Sequence, residues 1–185
     1  MPAINRRDLL TLGAGALLLP HAAHATLGDE APPVRVPNRI AVSTYSYWRY
    51  RDDSMMSIEE CIDLAVDAGF DGVEILHVQM GEDESNGRLQ AIKQQAFRHG
   101  LDLCGLSTHQ TFVNPNAEVR QQNIEHSRHC IELAYALGIP TIRVNTGRWG
   151  TIGDFDELMR NQGIEPRLEG YTDDDGFGWV IDSLT

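Results

Sequence analysis

The sequence predicts an α/β fold in which parallel strands alternate with helices, and three observations support this. One pattern of glycine, apolar residue, turn and strand occurs three times, as AGFDGVEIL, HGLDLCGLS and LGIPTIRVN. The glycines that open these segments, Gly69, Gly100 and Gly138, lie about 31 and 38 residues apart. The stretches between them show the apolar spacing of helices. Strands and helices that alternate at this interval form right-handed βαβ units, and therefore a parallel sheet.

The individual elements follow in order along the chain. A strand over residues 39–45 opens the first unit, and Ser57 and Glu60 form the capping box that begins the first helix. Gly69 ends that helix, as glycine commonly does. The predicted helices cover residues 57–68, 88–99 and 118–137. The fourth strand lies in PTIRVN, and a fifth unit begins near residues 176–184.

The unit count favours a (β/α) TIM-type barrel over an open doubly wound sheet. No G-x-G-x-x-G motif follows the first strand, which disfavours a dinucleotide-binding sheet. An eight-stranded barrel typically needs about 250 residues. Residues 39–185 therefore correspond to its N-terminal half, with about four β/α units. We expect a truncated barrel; closure by a second copy of the chain and a small open sheet are the alternatives.

The N-terminus has the features of an export signal. Arg6 and Arg7 form a twin arginine, an apolar run over residues 9–20 follows, and the small-residue site Ala23-His24-Ala25 comes next. This order predicts a Tat-type signal peptide over residues 1–25 and a periplasmic destination. The Pro-rich residues 26–38 then form a linker.

Composition narrows the function classes. The hydrophobic content of 42% is typical of a soluble globular protein. The formal net charge of -12 argues against nucleic acid as a partner, because phosphate recognition depends on lysine and arginine. No apolar run after the signal is long enough to span a membrane. Cys61, Cys104 and Cys130 do not form a disulfide framework and are interpreted as small buried hydrophobes.

Polar residues recur where the predicted strands end. Alternate residues of a barrel strand face the interior, and active sites lie at the carboxyl ends of the strands. The residues placed on the inward face are Ser43, Tyr45, Glu74, Ser107, His109, Arg143 and Asn145. Arg148 and Trp149 follow in the loop above the fourth strand. Because buried polar atoms without partners are costly, their recurrence on four strands predicts a shared polar pocket.

Each of these residues has a structural alternative. Glu74 is a candidate catalytic carboxylate, but it could instead form a buried bridge with Arg143. His109 suits general acid/base catalysis or metal binding, or it is a loop histidine with a structural partner. His77 is a second candidate of the same kind. Trp149 either stacks on a sugar ring or caps the barrel.

Two other clusters are interpreted as structural. His126, His129 and Cys130 fall within one predicted helix, and the two histidines lie off its apolar stripe, which favours a solvated face over a metal site. Residues 171–182 partly imitate a calcium loop, but Tyr171 stands at the first ligand position. The acidic run is more consistent with the start of a helix.

The motifs together resemble the xylose isomerase-like TIM barrels, a group of sugar phosphate isomerases and epimerases related to an apurinic/apyrimidinic endonuclease family. The resemblance rests on IAVSTYSYW, AGFDGVEIL, LSTHQTF and IRVNTGRWGT with LEGYTDDDGFGWVIDSL, and it covers about residues 39–185. It implies a divalent metal (Mn, Mg, Co or Zn) that holds sugar oxygens. It places Glu74 and His109 on the catalytic rim. The metal ligands typical of the family lie mainly on later strands, so no metal ligand is assigned.

The resulting expectation is a sugar or polyol isomerase/epimerase that moves a proton between adjacent carbons. The expected substrate-binding residues are Ser43, Tyr45, Arg143, Asn145, Arg148 and Trp149. Two alternatives stay open. The first is a dehydratase/lyase or endonuclease-like member of the same superfamily, and the second is an exported, noncatalytic sugar-binding module. The expected partner is a small sugar or sugar derivative, and a homo-oligomer is an open alternative to a single chain.

Overall fold

A computed structural model describes residues 38–48 and 54–185. The signal peptide predicted over residues 1–25, and the linker up to residue 37, lie outside the described residues. The described chain forms a parallel four-stranded sheet in the sequential order β1-β2-β3-β4. The strands are β1 Ala41–Ser43, β2 Gly72–Leu76, β3 Asp102–Ser107 and β4 Ile142–Arg143. The prediction of parallel β/α units is thus confirmed.

The helices form where the sequence predicts their caps. The α-helices are α1 Ile58–Asp67, α2 Asn86–His99, α3 Ala117–Leu137, α4 Phe155–Arg160 and α5 Asp173–Leu184. At the start of α1 the Ser57 hydroxyl accepts from the Glu60 amide at 3.2 Å, and the Glu60 carboxylate accepts from the Ser57 amide at 2.9 Å. Thr172 and Asp175 form the same capping box at α5. The acidic run therefore begins a helix, as expected.

No helix of the described chain combines the length and the apolar character that crossing a membrane requires.

The core lies on one side of the sheet. Val73, Ile75 and Leu106 are fully buried, and they pack with apolar residues of α1, α2 and α3 in a single cluster. Ile75 is paired with Leu106, and Leu106 with Ile142, so these side chains share one face. Successive residues of a strand point to opposite faces. The strand residues that alternate with these apolar residues therefore face away from the helices, as the sequence analysis predicted.

Two strands are shorter than predicted. β1 ends at Ser43, and Tyr45 lies in a 3-10 turn over Thr44–Ser46. The Thr44 hydroxyl accepts from the Leu76 amide at 2.9 Å, so a side chain replaces the backbone partner that a longer β1 would supply. Asn145 likewise lies beyond β4, because the Gln110 side-chain oxygen accepts from its amide at 3.2 Å. The predictions of a strand through residue 45 and of Asn145 within β4 were wrong.

Candidate functional site

A row of polar side chains crosses the inner face of the sheet. Ser43 on β1 is paired with Glu74 on β2, and Glu74 with Gly105 on β3. Ser107, two residues after Gly105, is paired with Arg143 on β4. Paired residues of parallel strands point to the same side. We call Ser43, Glu74, Ser107 and Arg143 the inner-face row. All four were predicted to face inward.

Gly105 leaves the space that Glu74 occupies. A Cβ atom at this position would lie 3.2 Å from Cγ and 3.7 Å from Oε1 of Glu74. The register between β2 and β3 shifts at Glu74, so that Val73 is paired with Leu103 and Glu74 with Gly105. The glutamate side chain therefore extends across β3 along the inner face. A side chain at position 105 would force it to move.

Arg143 is held by a serine, and the bridge to Glu74 that was the structural alternative is not formed. The Nε atom of Arg143 donates to the Ser107 hydroxyl at 2.6 Å. The Glu74 carboxylate makes no hydrogen bond or ion pair within residues 38–48 and 54–185. It is only half-buried. A carboxylate in this situation is available to a ligand.

Four of the predicted residues line one open cleft at the carboxyl end of the sheet. This cleft has a volume of about 550 Å³. His109, Arg143, Asn145 and Arg148 contribute to its wall. Donors from a ring, two guanidinium groups and an amide thus surround one space, which suits a neutral polyhydroxylated ligand or an anion. Glu74, Ser43 and Tyr45 do not line this cleft.

Gln110 orients the loop beneath the cleft, and the sequence analysis did not identify it. Its side chain is buried. Its Nε2 atom donates to the Thr108 hydroxyl at 2.7 Å, and its side-chain oxygen accepts from the Asn145 amide. The Thr108 hydroxyl also donates to the Arg143 carbonyl at 2.8 Å. These bonds tie the end of β3 to the end of β4. In the sequence, Gln110 is a polar residue next to His109, and no pattern around it predicts that it connects the ends of two strands.

His109 is exposed as a residue but has a perturbed imidazole. Partial burial of the ring lowers the pKa of His109, and the positive charge of Arg143 lowers it further. Both effects disfavour the imidazolium form. At neutral pH the ring is therefore unprotonated and can accept a proton. Because the folded-state pKa lies below the unfolded one, acidification through about 6.5 favours the unfolded chain at this group.

We expect a proton NMR titration of the full chain to show His109 with a pKa below the ordinary histidine value of about 6.5. Replacing Arg143 with glutamine should raise that pKa, because the neighbouring cation is removed. His109→Gln assigns the resonance by deleting it. If the pKa of His109 is the same in Arg143→Gln as in the wild type, the electrostatic coupling between the two residues is contradicted.

Arg148 and Trp149 are both engaged with later parts of the chain. The Nη1 atom of Arg148 donates to Glu165 Oε2 at 2.7 Å and to the Ile152 carbonyl at 2.8 Å. Trp149 packs on Gly176, where a Cβ would lie 3.2 Å from the indole. It also meets Trp179 edge to face, with ring centroids 6.1 Å apart. Trp149 therefore packs against α5, and its contact with a sugar stays a prediction.

Glu165 organises this loop, and sequence reasoning missed it. Its side chain is only 5% exposed. Besides Arg148, it accepts from the amides of Gly150 at 2.8 Å and Ile152 at 3.4 Å. Burial by itself would raise the pKa of Glu165, but these hydrogen bonds and the Arg148 charge outweigh burial and lower it. It is therefore an ionised structural residue.

The histidines of α3 are not simply a solvated face. His126 is partly buried, and its ring meets that of His77 edge to face with centroids 5.1 Å apart. His129 is exposed, but its Nε2 atom lies 2.6 Å from Glu84 Oε2. The solvated-face interpretation was wrong for His126 and incomplete for His129. Glu84 gave no sequence signal, because it lies in an acidic surface loop.

The donor groups that could hold a metal lie around His77, next to the end of β2. Two groups of three donor side chains come together in the described part of the chain, His77-Glu84-His129 and His77-His126-Cys130. Neither contains Glu74 or His109. Glu74 and His109, the two residues expected on the catalytic rim, therefore belong to no donor group in the described part of the chain.

The chain belongs to the xylose isomerase-like TIM barrel family, whose model matches residues 62–176. Among solved structures it is similar to D-psicose 3-epimerase with D-tagatose from Clostridium cellulolyticum H10, at 15% identity and a TM-score of 0.56, covering 78% of this chain and 46% of that one. A D-psicose 3-epimerase crystallised in the presence of D-fructose matches at 16% identity and a TM-score of 0.58, with the same coverage.

A third similar structure is 3-keto-D-glucoside 4-epimerase from E. coli. It matches at 20% identity and a TM-score of 0.51, covering 69% of this chain and 44% of that one. At such identities the likeness concerns the fold. The chain spans less than half the length of these epimerases. No curated protein matches the sequence.

Proposed function

We propose that the protein is a sugar or polyol isomerase/epimerase that transfers a proton between adjacent carbons of its substrate. The observation that supports this most directly is the half-buried Glu74 carboxylate, which has no partner among the described residues on the inner face. The ketohexose epimerases that share the fold add weight to a carbohydrate substrate. The proposal also includes export to the periplasm and a sugar, not nucleic acid, as ligand.

Glu74 and His109 have complementary roles in this proposal. A carboxylate can remove the proton next to a carbonyl, and an unprotonated imidazole can accept or return a proton at the neighbouring position. Arg143 and Asn145, which line the same cleft as His109, would bind substrate oxygens. Ser107 holds the Arg143 guanidinium in place through its hydroxyl. Ser43 and Tyr45 would contact the substrate from the β1 side.

The proposed active form is a complete barrel, of which residues 39–185 supply the first four β/α units. β1 and β4 are the edges of the described sheet, and exposed edge strands are ready to pair with further strands. The later units would bring the ligands for a divalent metal such as Mn, Mg, Co or Zn. They would come from continuation of the reading frame or from a second copy of the chain. Solution mass and the downstream DNA sequence distinguish these two routes.

The experiment uses the protein in its complete-barrel form, incubated with a panel of ketoses in heavy water. We expect it to produce an epimer or aldose. It should place deuterium on a carbon adjacent to the carbonyl, because a proton exchanged with solvent is the signature of this transfer. Proton NMR of the sugar detects both products and exchange. A noncatalytic binding module would bind sugar without exchange, and a dehydratase would release water from the substrate. Either result would overturn the proposal.

A further inference from the structure

A second cluster of ionisable side chains lies where the loop after β2 meets α3. The Glu84 carboxylate lies between two imidazoles, with Oε1 at 2.8 Å from Nε2 of His77 and Oε2 at 2.6 Å from Nε2 of His129. His77 directly follows β2, Glu84 precedes α2, and His129 lies on α3. Three separate elements therefore bring two nitrogens and a carboxylate together.

This donor set fits a transition metal. Two imidazoles and one carboxylate are among the ligand sets that bind zinc with a fourth position open. One ligand atom from each of the three residues lies within 4.8 Å of the others. Metal-ligand bonds of about 2.0–2.2 Å require ligand atoms about 3.4 Å apart in a tetrahedral site. The two contacts of 2.8 and 2.6 Å would therefore lengthen by about 0.6–0.8 Å around an ion.

The position of the cluster also allows a metal to reach it. The side chains of His129 and Glu84 are 52% and 23% exposed. Glu84 is thus reachable from solvent while it contacts both imidazoles. Ordering mobile side chains around an ion would cost free energy. These three side chains are already in contact with one another before an ion binds.

We propose that His77, Glu84 and His129 form a binding site for a zinc-type divalent transition metal, in which neither Glu74 nor His109 takes part. Its metal joins the β2–α2 loop to α3. The site does not depend on the sugar chemistry proposed above, and of the sequence-predicted acid/base candidates it contains only His77.

The neighbouring group His77-His126-Cys130 is a weaker set of ligands. Cys130 is fully buried, whereas the His129 side chain is 52% exposed. His126 and Cys130 instead contact each other, with Sγ 3.6 Å from Nε2, and His126 packs against the His77 ring. We assign them the supporting role of fixing the orientation of His77.

The experiment uses the full chain after chelator treatment, titrated with Zn²⁺ in competition with a chromophoric chelator. We expect one high-affinity zinc per chain and a rise in Tm when zinc is added, because an ion bound only by the folded state stabilises it. Glu84→Gln and His129→Ala should each weaken zinc binding at least about tenfold. Mutation of a residue that only supports a metal ligand commonly lowers metal affinity by that factor, and these two residues are ligands themselves. Co²⁺ substitution gives a spectroscopic signature of the ligand set.

His99→Ala is the matched control. His99 lies at the end of α2, is paired with Asp63 at 3.5 Å, and belongs to neither donor group. It should bind zinc as the wild type does, and so should Glu74→Gln. Absence of binding to the wild type overturns the proposal. So does binding that survives both Glu84→Gln and His129→Ala, or that is lost in Cys130→Ser but kept in Glu84→Gln. Loss of binding in Glu74→Gln would move the metal to the mouth and likewise reject this site.

Discussion

Replacing Glu74 with glutamine is expected to lower kcat for ketose turnover by about 10²- to 10⁴-fold, the usual contribution of a positioned general base. Glutamine has nearly the same shape but cannot accept the proton. The Glu74 carboxylate has no hydrogen bond or ion pair in the described part of the chain, so the change removes no known structural contact. Thermal stability should therefore stay near that of the wild type. Steady-state kinetics with circular dichroism melting measure both.

Glu165→Gln is the matched control for this prediction. The same chemical change is made at a buried carboxylate that binds Arg148 and two backbone amides. We expect it to cost about 1.5–3 kcal/mol of folding free energy, the range for hydrogen bonds to a charged group. Glu74→Gln should thus lose turnover and keep its stability, whereas Glu165→Gln should lose stability. Wild-type turnover in Glu74→Gln would show that another group moves the proton.

The sequence was sufficient to predict the order and direction of the elements. Glycine after each helix, capping residues before each helix and apolar periodicity are local signals, and the structure has helices at the predicted places. Gly100 and Gly138 adopt φ of 69° and 72°, which glycine accommodates without strain. The strand ends were less predictable. Thr44 and Gln110 use side chains to satisfy backbone amides, and neither residue type announces this in a sequence.

The candidate site was predicted in part for a related reason. Alternation along a strand is local, so the inward direction of Glu74 and Arg143 could be predicted from spacing. Partners far apart in sequence could not. Glu84 and His129 are separated by 45 positions, and their contact depends on how the β2–α2 loop lies against α3. Likewise, the Arg148–Glu165 pair forms between two segments without regular structure.

Replacing Leu106 with alanine is expected to destabilise the domain by about 2–5 kcal/mol, the range for deleting a fully buried leucine. Leu106 is completely buried in the central strand β3 and is paired with Ile75 and Ile142. The side chains of the inner-face row lie on the opposite side of the sheet, so they cannot fill the cavity that the substitution leaves. Since domains are stable by about 5–15 kcal/mol, a large part of the folded state is at stake. Urea denaturation monitored by circular dichroism gives the free energy of unfolding.

Ile131→Ala, on α3, is the control for this change. Its side chain is 54% exposed, and the substitution should alter the free energy of unfolding by less than about 1 kcal/mol. Leu106 and Ser107 are consecutive residues of one strand and point to opposite faces. If Leu106→Ala were no more harmful than Ile131→Ala, the helix-facing side of β3 would not be the core. Ser107, and with it Arg143, would then lose their assignment to the inner face.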